Sequence, residues 1–418
     1  MTSHLPEVAT KPVAPRKSAH LYYVDMVRVL TVALVISVHV LALEPIPTTL
    51  ATGALLTVMH VSREVFFLLT AFVLTYGYRS RSSVRWPSFW RKRYLFVAVP
   101  YVVWTVVYFF ADQPRLDASG PALRLFTHEL LIGTARYHLY FLLVSMQIYL
   151  VFPLLRQLLR MTGKHHRALL VVSAVYQLAF YLAVQQGWSL GPLSGWLRTP
   201  DALLPSYLGF IVAGAVAAWH TEALVRWTRA NIGRVYAGCA ASIALGVGVF
   251  LAEVLIGGQG PLTASAVFQP VVVVESVGIA WGFLATGLLW QERGRPGSRV
   301  VLAGSDSSFG IYLSHPLLLQ ALLAGSAAVG LTSVARRAPS GLVIAIELVI
   351  VVPALYLAAG LLSSALRRTP MSLPLTGRAR LRRRPASTTT VPAATPRPVA
   401  QPTDRPVAQA LPTSGGSR

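Results

Sequence analysis

Asp25, Arg28 and His39 interrupt an otherwise almost unbroken apolar run from Tyr23 to Val40. Charge in such a run must face protein or water, because an ionised group at the bilayer centre costs from about 2.5 kcal/mol upward. Eleven residues separate Arg28 from His39. At 3.6 residues per turn this is about 3.06 turns, so both project from nearly one face, roughly 16 Å apart along the axis. In a hydrocarbon core of about 30 Å, one group then lies toward each leaflet. A guanidinium holds anions and an imidazole exchanges protons near neutral pH, so the helix reads as the wall of a polar site. The structural alternative is an interhelical hydrogen bond made by His39.

Two further polar groupings lie within apolar runs. Arg63-Glu64 is one, with a buried ion pair that locks helices together as its plain reading. The other is the stretch Ser308-Phe309-Gly310-Ile311-Tyr312-Leu313-Ser314-His315-Pro316, in which Pro316 removes a backbone donor and frees a carbonyl. Packing is the simpler role for Tyr312 and Ser314, since hydroxyls commonly join membrane helices, while His315 fits structure and function equally. Glu253, Glu275 and Glu347 are intramembrane carboxylates whose partners the order of residues does not give. Several motifs fail. His128-Glu129 lacks the second histidine of a zinc protease helix, and no metal site is expected. His39 and Glu44 mimic a His-x4-acid catalytic pair, but five residues of helix turn about 500°, so the side chains diverge. No Walker A loop, dinucleotide fingerprint or serine nucleophile elbow is present.

The elements that must position these groups follow from composition. Of 418 residues, 54% are hydrophobic and only 12% charged, with mean hydropathy +0.57, which marks a polytopic membrane protein. Apolar runs near 22–43, 56–78, 94–111, 137–159, 168–186, 203–219, 235–256, 269–290, 308–328 and 341–364 predict an all-α bundle of about ten transmembrane helices. The single cysteine, Cys239, excludes an intrachain disulfide and a thiolate zinc site. The first 20 residues lack the features of a cleaved leader, so the first apolar run is expected to remain.

Net charge is +22, which in a soluble chain would suggest nucleic acid. Here the basic residues are loop charges: 29 of the 37 fall in alternate connections and the tail, six in the opposite set, and only Arg28 and Arg63 within helices. By the positive-inside bias both termini are cytoplasmic, with the basic loops near anionic lipid headgroups and no nucleic-acid partner. Helix one then runs outward, Arg28 lies toward the cytoplasm, His39 and Arg63-Glu64 share the outer half, and His315 is expected at the depth of Arg28. The domain reading is a cytoplasmic segment at 1–20, a membrane domain at 21–366, and a disordered basic Pro/Thr/Ala-rich cytoplasmic tail at 367–418.

Five blocks in order resemble the acyltransferase-3 family. They are Tyr23-Val24-Asp25-Met26-Val27-Arg28 with His39 after ten residues; Phe66-Phe67-Leu68-Leu69-Thr70-Ala71-Phe72; Arg91-Lys92-Arg93 with Val99-Pro100-Tyr101; His138-Leu139-Tyr140-Phe141-Leu142; and Gly310 to Pro316. The resemblance spans about residues 20–365, with Thr70-Ala71 in place of the usual Ser-Gly and Tyr140 in place of Trp. It implies a multi-pass protein of a bacterial plasma membrane that moves an acyl, often acetyl, group from cytoplasmic acyl-CoA to a hydroxyl of a saccharide or glycoconjugate. Acyl-CoA is then a substrate, and no permanently bound cofactor is expected. Under that resemblance Arg28 with Arg91, Lys92 and Arg93 holds the donor phosphates, and Asp25 fixes Arg28. His39 is the general base, and Arg63 with Glu64 orients it or stabilises the oxyanion. Tyr312, Ser314 and His315 border the donor. The rival reading is an exporter of a polar saccharide or lipid-linked acceptor, although no pair of matching halves is visible in the chain.

Overall fold

The computed structural model describes residues 20–43, 48–112, 120–188, 191 and 200–381, and these contain helices and turns without a strand. The helices that build the bundle are α1 (Tyr22–Leu43), α2 (Leu50–His60), α3 (Ser62–Tyr78), α4 (Trp86–Asp112), α5 (Gly120–Ile132), α6 (Tyr140–Met161) and α7 (His166–Gln185). They continue with α8 (Leu208–Trp219), α9 (Thr221–Ala230), α10 (Ile232–Leu255), α11 (Pro270–Glu292), α12 (Ser298–Ala328), α13 (Ser340–Ile346), α14 (Val352–Leu366) and α15 (Ser372–Thr376). Among the described residues nine helical stretches are long and apolar enough to cross a membrane. A tenth exists only if Leu204–Trp219 and Thr221–Ala230, bent by 87° to each other, count as one span.

That bend changes the predicted sixth helix. The run 203–219 is apolar, but regular α-helix begins only at Leu208, so α8 has 12 residues. It is about 18 Å long, well short of the hydrocarbon thickness. Two other boundaries move outward. α4 starts at Trp86 rather than 94, and α12 at Ser298 rather than 308, which adds two to three turns at the N-terminal end of each. The last span is interrupted by a π-turn at Glu347–Val351, next to Pro353, which has no N–H to offer the α-helical ladder. Of the predicted tail, residues 367–381 are folded, with α15 packed against α4, α12 and α14. Residues 382–418, like 1–19, lie outside the described residues, as does Glu44.

α1 packs against α2, α3, α11, α12 and α14, so the helix bearing Arg28 and His39 is enclosed by the bundle. α3, which bears Arg63, Glu64 and Phe66, crosses α8 at Gly214, where an added Cβ would come within 2.1 Å of the Leu68 carbonyl oxygen. Only a residue without a side chain lets the two backbones meet so closely, a common way of joining membrane helices. Gly214→Leu is therefore expected to push α3 away and cost about 1 to 3 kcal/mol or more of stability. A lowered apparent melting temperature of the purified protein checks this, and an unchanged one would contradict it.

Candidate active site

The parallel helices α1 and α12 set the frame. Arg28 Nη1 donates to Ser305 Oγ at 2.9 Å, and Ser305 Oγ in turn donates to Asp25 Oδ1 at 2.6 Å. The same Asp25 oxygen lies 3.7 Å from Arg28 Nη1, so Asp25 holds Arg28 chiefly through the α12 serine. His20 Nε2 meets the other Asp25 oxygen at 2.6 Å. Ten residues farther along α12, about 15 Å at 1.5 Å per residue, His315 stacks on His39 with centroids 5.4 Å apart. This corrects the expected depth of His315. Because α12 begins at Ser298, Ser305 takes the level of Arg28 and His315 that of His39.

Arg28 and His39 open on different cavities. His39 lines one of about 990 Å³ together with His60, Arg63, Tyr137, His138, Gln147 and Asp201. Arg28 lines another of about 610 Å³ together with Thr70, Lys92, Arg93, Ser308 and Arg378. Phe66, Phe141 and Tyr312 border both, and so form a wall between them. The three rings pack edge to face or tilted, with centroids at 5.4 Å for Phe66 and Phe141, 5.3 Å for Phe141 and Tyr312, and 6.2 Å for Phe66 and Tyr312. Tyr312 is pinned by a hydrogen bond from its hydroxyl to the His138 carbonyl.

In the larger cavity, His39 also lies against the Tyr137 ring, with centroids 4.4 Å apart. His315 is fully buried and donates from Nδ1 to the Ile311 carbonyl at 3.1 Å, because that oxygen can only accept. Its Nε2 is left with a lone pair and no partner. His60 is fixed in the same way by the Ser265 carbonyl, 2.8 Å from its Nδ1. Among the described residues no three potential ligands are arranged to hold a metal ion.

Arg63 is the cation of this cavity. Its Nε donates to Glu64 at 2.6 Å and its Nη1 to Asp201 at 2.8 Å, while its guanidinium lies 4.1 Å from the Phe268 centroid and 5.5 Å from that of Tyr207. Its Nη2 is buried without a partner. Glu64 is fully buried, does not line the cavity, and accepts a hydrogen bond from the Tyr181 hydroxyl at 3.0 Å. The carboxylate thus contacts Arg63 and Tyr181 without bordering the cavity.

Of the other predicted site residues, Lys92 and Arg93 share the cavity of Arg28, whereas Arg91 is exposed and lines neither cavity. Ser314 is buried and donates back to the Gly310 carbonyl at 2.9 Å. Glu253 accepts from Gln185 and Gln269, Glu275 is buried among helices, and neither they nor Glu347 borders the two cavities. Sequence reasoning missed His60, Asp201, Gln147 and Arg378. His60 alone carried a signal, an imidazole three residues before Arg63 at the junction of α2 and α3.

A family model described as an acyltransferase domain matches residues 21–366. The chain belongs to the acyltransferase-3 family. It is a multi-pass membrane acyltransferase, and the matched region holds α1 to α14, with both cavities' α1 residues, the aromatic wall and the Arg63 network. No curated protein and no solved structure matches the chain. The acyltransferase's cavities divide its polar groups by type. The smaller is bordered by cations without a carboxylate, and the larger by imidazoles around one guanidinium.

Proposed function

We propose that the acyltransferase moves an acyl group, commonly acetyl, from acyl-CoA to a hydroxyl of a saccharide or glycoconjugate. The observation that carries this reading is the pair of back-to-back cavities sharing the wall of Phe66, Phe141 and Tyr312. Arg28, Lys92 and Arg93 offer the phosphates of the donor charge-assisted hydrogen bonds in the smaller cavity. The acyl-bearing arm passes the aromatic wall toward His39, along roughly 16 Å of α1.

In the larger cavity His39 takes the proton of the acceptor hydroxyl as its oxygen attacks the thioester carbonyl carbon. The Arg63 guanidinium, which borders this cavity, is suited to the oxyanion that forms. Collapse breaks the carbon–sulfur bond, and the proton held by His39 goes to the departing thiolate. The products are the acyl ester and free CoA. The distribution of basic residues supports a reading in which the Arg28 cavity opens on the cytoplasmic side, where the donor is made, and the His39 cavity on the outer side of a bacterial plasma membrane.

Two cavities separated by a thin wall also suit a carrier that moves a saccharide or lipid-linked acceptor without chemistry. Proteoliposomes supplied with radiolabelled acetyl-CoA and a hydroxyl-rich glycan separate the two. Label entering the glycan, with release of free CoA, is expected. Glycan moving across the membrane while acetyl-CoA stays intact would favour the carrier.

A further inference from the structure

The family match ends at 366, yet residues 367–381 fold against the end of the bundle that holds Arg28. The Leu375 carbonyl accepts from Trp104 Nε1 at 3.0 Å, and the Leu381 N–H donates to the Arg367 carbonyl at 2.9 Å. Ser372 Oγ donates to the Arg378 carbonyl at 2.8 Å, and Ser372 and Thr376 are almost fully buried. At Gly377 the chain adopts φ +60°, and an added Cβ would fall 2.3 Å from the Phe309 ring and 2.8 Å from the Phe96 carbonyl oxygen. The turn therefore threads between α4 and α12 where a side chain has no room. It delivers Arg378 into the cavity of Arg28, Lys92 and Arg93.

Asp306 neutralises Arg378 only in part. Arg378 Nη1 is 3.5 Å from Asp306 Oδ1, while the other Asp306 oxygen is bonded by Arg367. Arg378 keeps donors for another anion, and its side chain is 42% exposed. Arg28 and Arg378 also border an adjoining cavity lined by Asp25 and Asp306, but the one they share with Lys92 and Arg93 is bordered by four cations and no carboxylate. Such a lining fits a ligand head with several phosphate groups better than a single carboxylate.

We propose that residues 367–381 form a strap that completes the donor site, with Arg378 binding a phosphate of the donor head. The strap supplies from outside the family domain a fourth cation for a head such as that of CoA, which carries about four negative charges at neutral pH. This proposal rests on the acyl-CoA reading given above. Arg378 contributes to binding the phosphorylated part of the donor and takes no part in the chemistry at the thioester.

The test uses the full chain in phosphatidylcholine nanodiscs, with CoA binding and transfer from acetyl-CoA or acetyl-pantetheine, which lacks the phosphates, as readouts. Arg378→Gln is expected to weaken CoA binding and raise KM for acetyl-CoA about tenfold, the scale of one charge-assisted hydrogen bond, with kcat kept. KM for acetyl-pantetheine is expected to stay unchanged, which a strap acting only on the fold would not give. Arg378→Lys is expected to recover most of the affinity. Equal losses in the Gln and Lys variants would overturn the proposal, as would a wild type and an Arg378→Gln variant that bind CoA equally. Phosphatidylglycerol in the nanodisc should leave the Gln effect in place. If it erases the difference, Arg378 serves a lipid phosphate and the proposal falls. A wild type that binds no CoA defeats the acyl-CoA reading itself, and the strap's donor role with it.

Discussion

His39→Ala is expected to lower the rate of acyl transfer by about 100- to 10,000-fold, the usual contribution of a positioned general base, while leaving donor binding intact. The imidazole borders the 990 Å³ cavity, stacks on His315 and lies against Tyr137, so its removal opens space without unpairing a charge. His39→Gln should be as slow as His39→Ala, because an amide fills the site and hydrogen-bonds but cannot take the proton. Both variants should insert in the membrane at wild-type levels. A Gln variant with near-normal turnover, measured as label in the acceptor per enzyme, would reduce His39 to a structural hydrogen-bonding role.

Glu64→Gln is expected to be the most damaging single change to stability. Glu64 is fully buried, carries the Arg63 Nε contact at 2.6 Å and also accepts from Tyr181. Without it the one carboxylate left to Arg63 is Asp201, whose side chain is half exposed, beside the faces of Phe268 and Tyr207. Removing the buried partner of an ion pair in this way costs up to about 3 to 5 kcal/mol. The double variant Arg63→Met, Glu64→Leu removes both charges while keeping bulk, and should regain much of the lost melting temperature. It should remain inactive, since the Arg63 guanidinium that borders the cavity is gone. Recovery of both stability and activity in the double variant would show that Arg63 serves the fold alone.

The sequence made the Arg28 and His39 pair legible because the rise of a helix is fixed. Their separation translates directly into two levels of one wall, and each level proves to have its own cavity. The level of His315 was not legible for a different reason. Residues 298–307 include Arg299, Ser305, Asp306 and Ser307, a polar stretch that reads as loop by hydropathy. The helix continues through it because Arg28 and Arg367 satisfy the serine and the aspartate from other parts of the chain. Asp201 lay equally out of reach. It stands 138 residues from Arg63, and no local periodicity links the two. The short α8 misled in the opposite sense. Its composition is that of a membrane span, but the chain turns sharply at His220, and what makes α8 useful is its Gly214 crossing with α3. At the C-terminal end the same bias hid the strap: a segment rich in arginine and proline reads as solvated tail, and only the fit of Gly377 between α4 and α12 shows it to be built in.

The most direct test of the two-cavity arrangement compares Arg28→Ala with His39→Ala in steady-state transfer from acetyl-CoA, at matched amounts of inserted protein. The expected result is a split. Arg28→Ala raises KM for the donor about tenfold or more with kcat largely kept, and His39→Ala lowers kcat with KM nearly unchanged. Equal effects of both variants on KM and kcat would contradict a donor site and a reaction site placed at opposite ends of one helix.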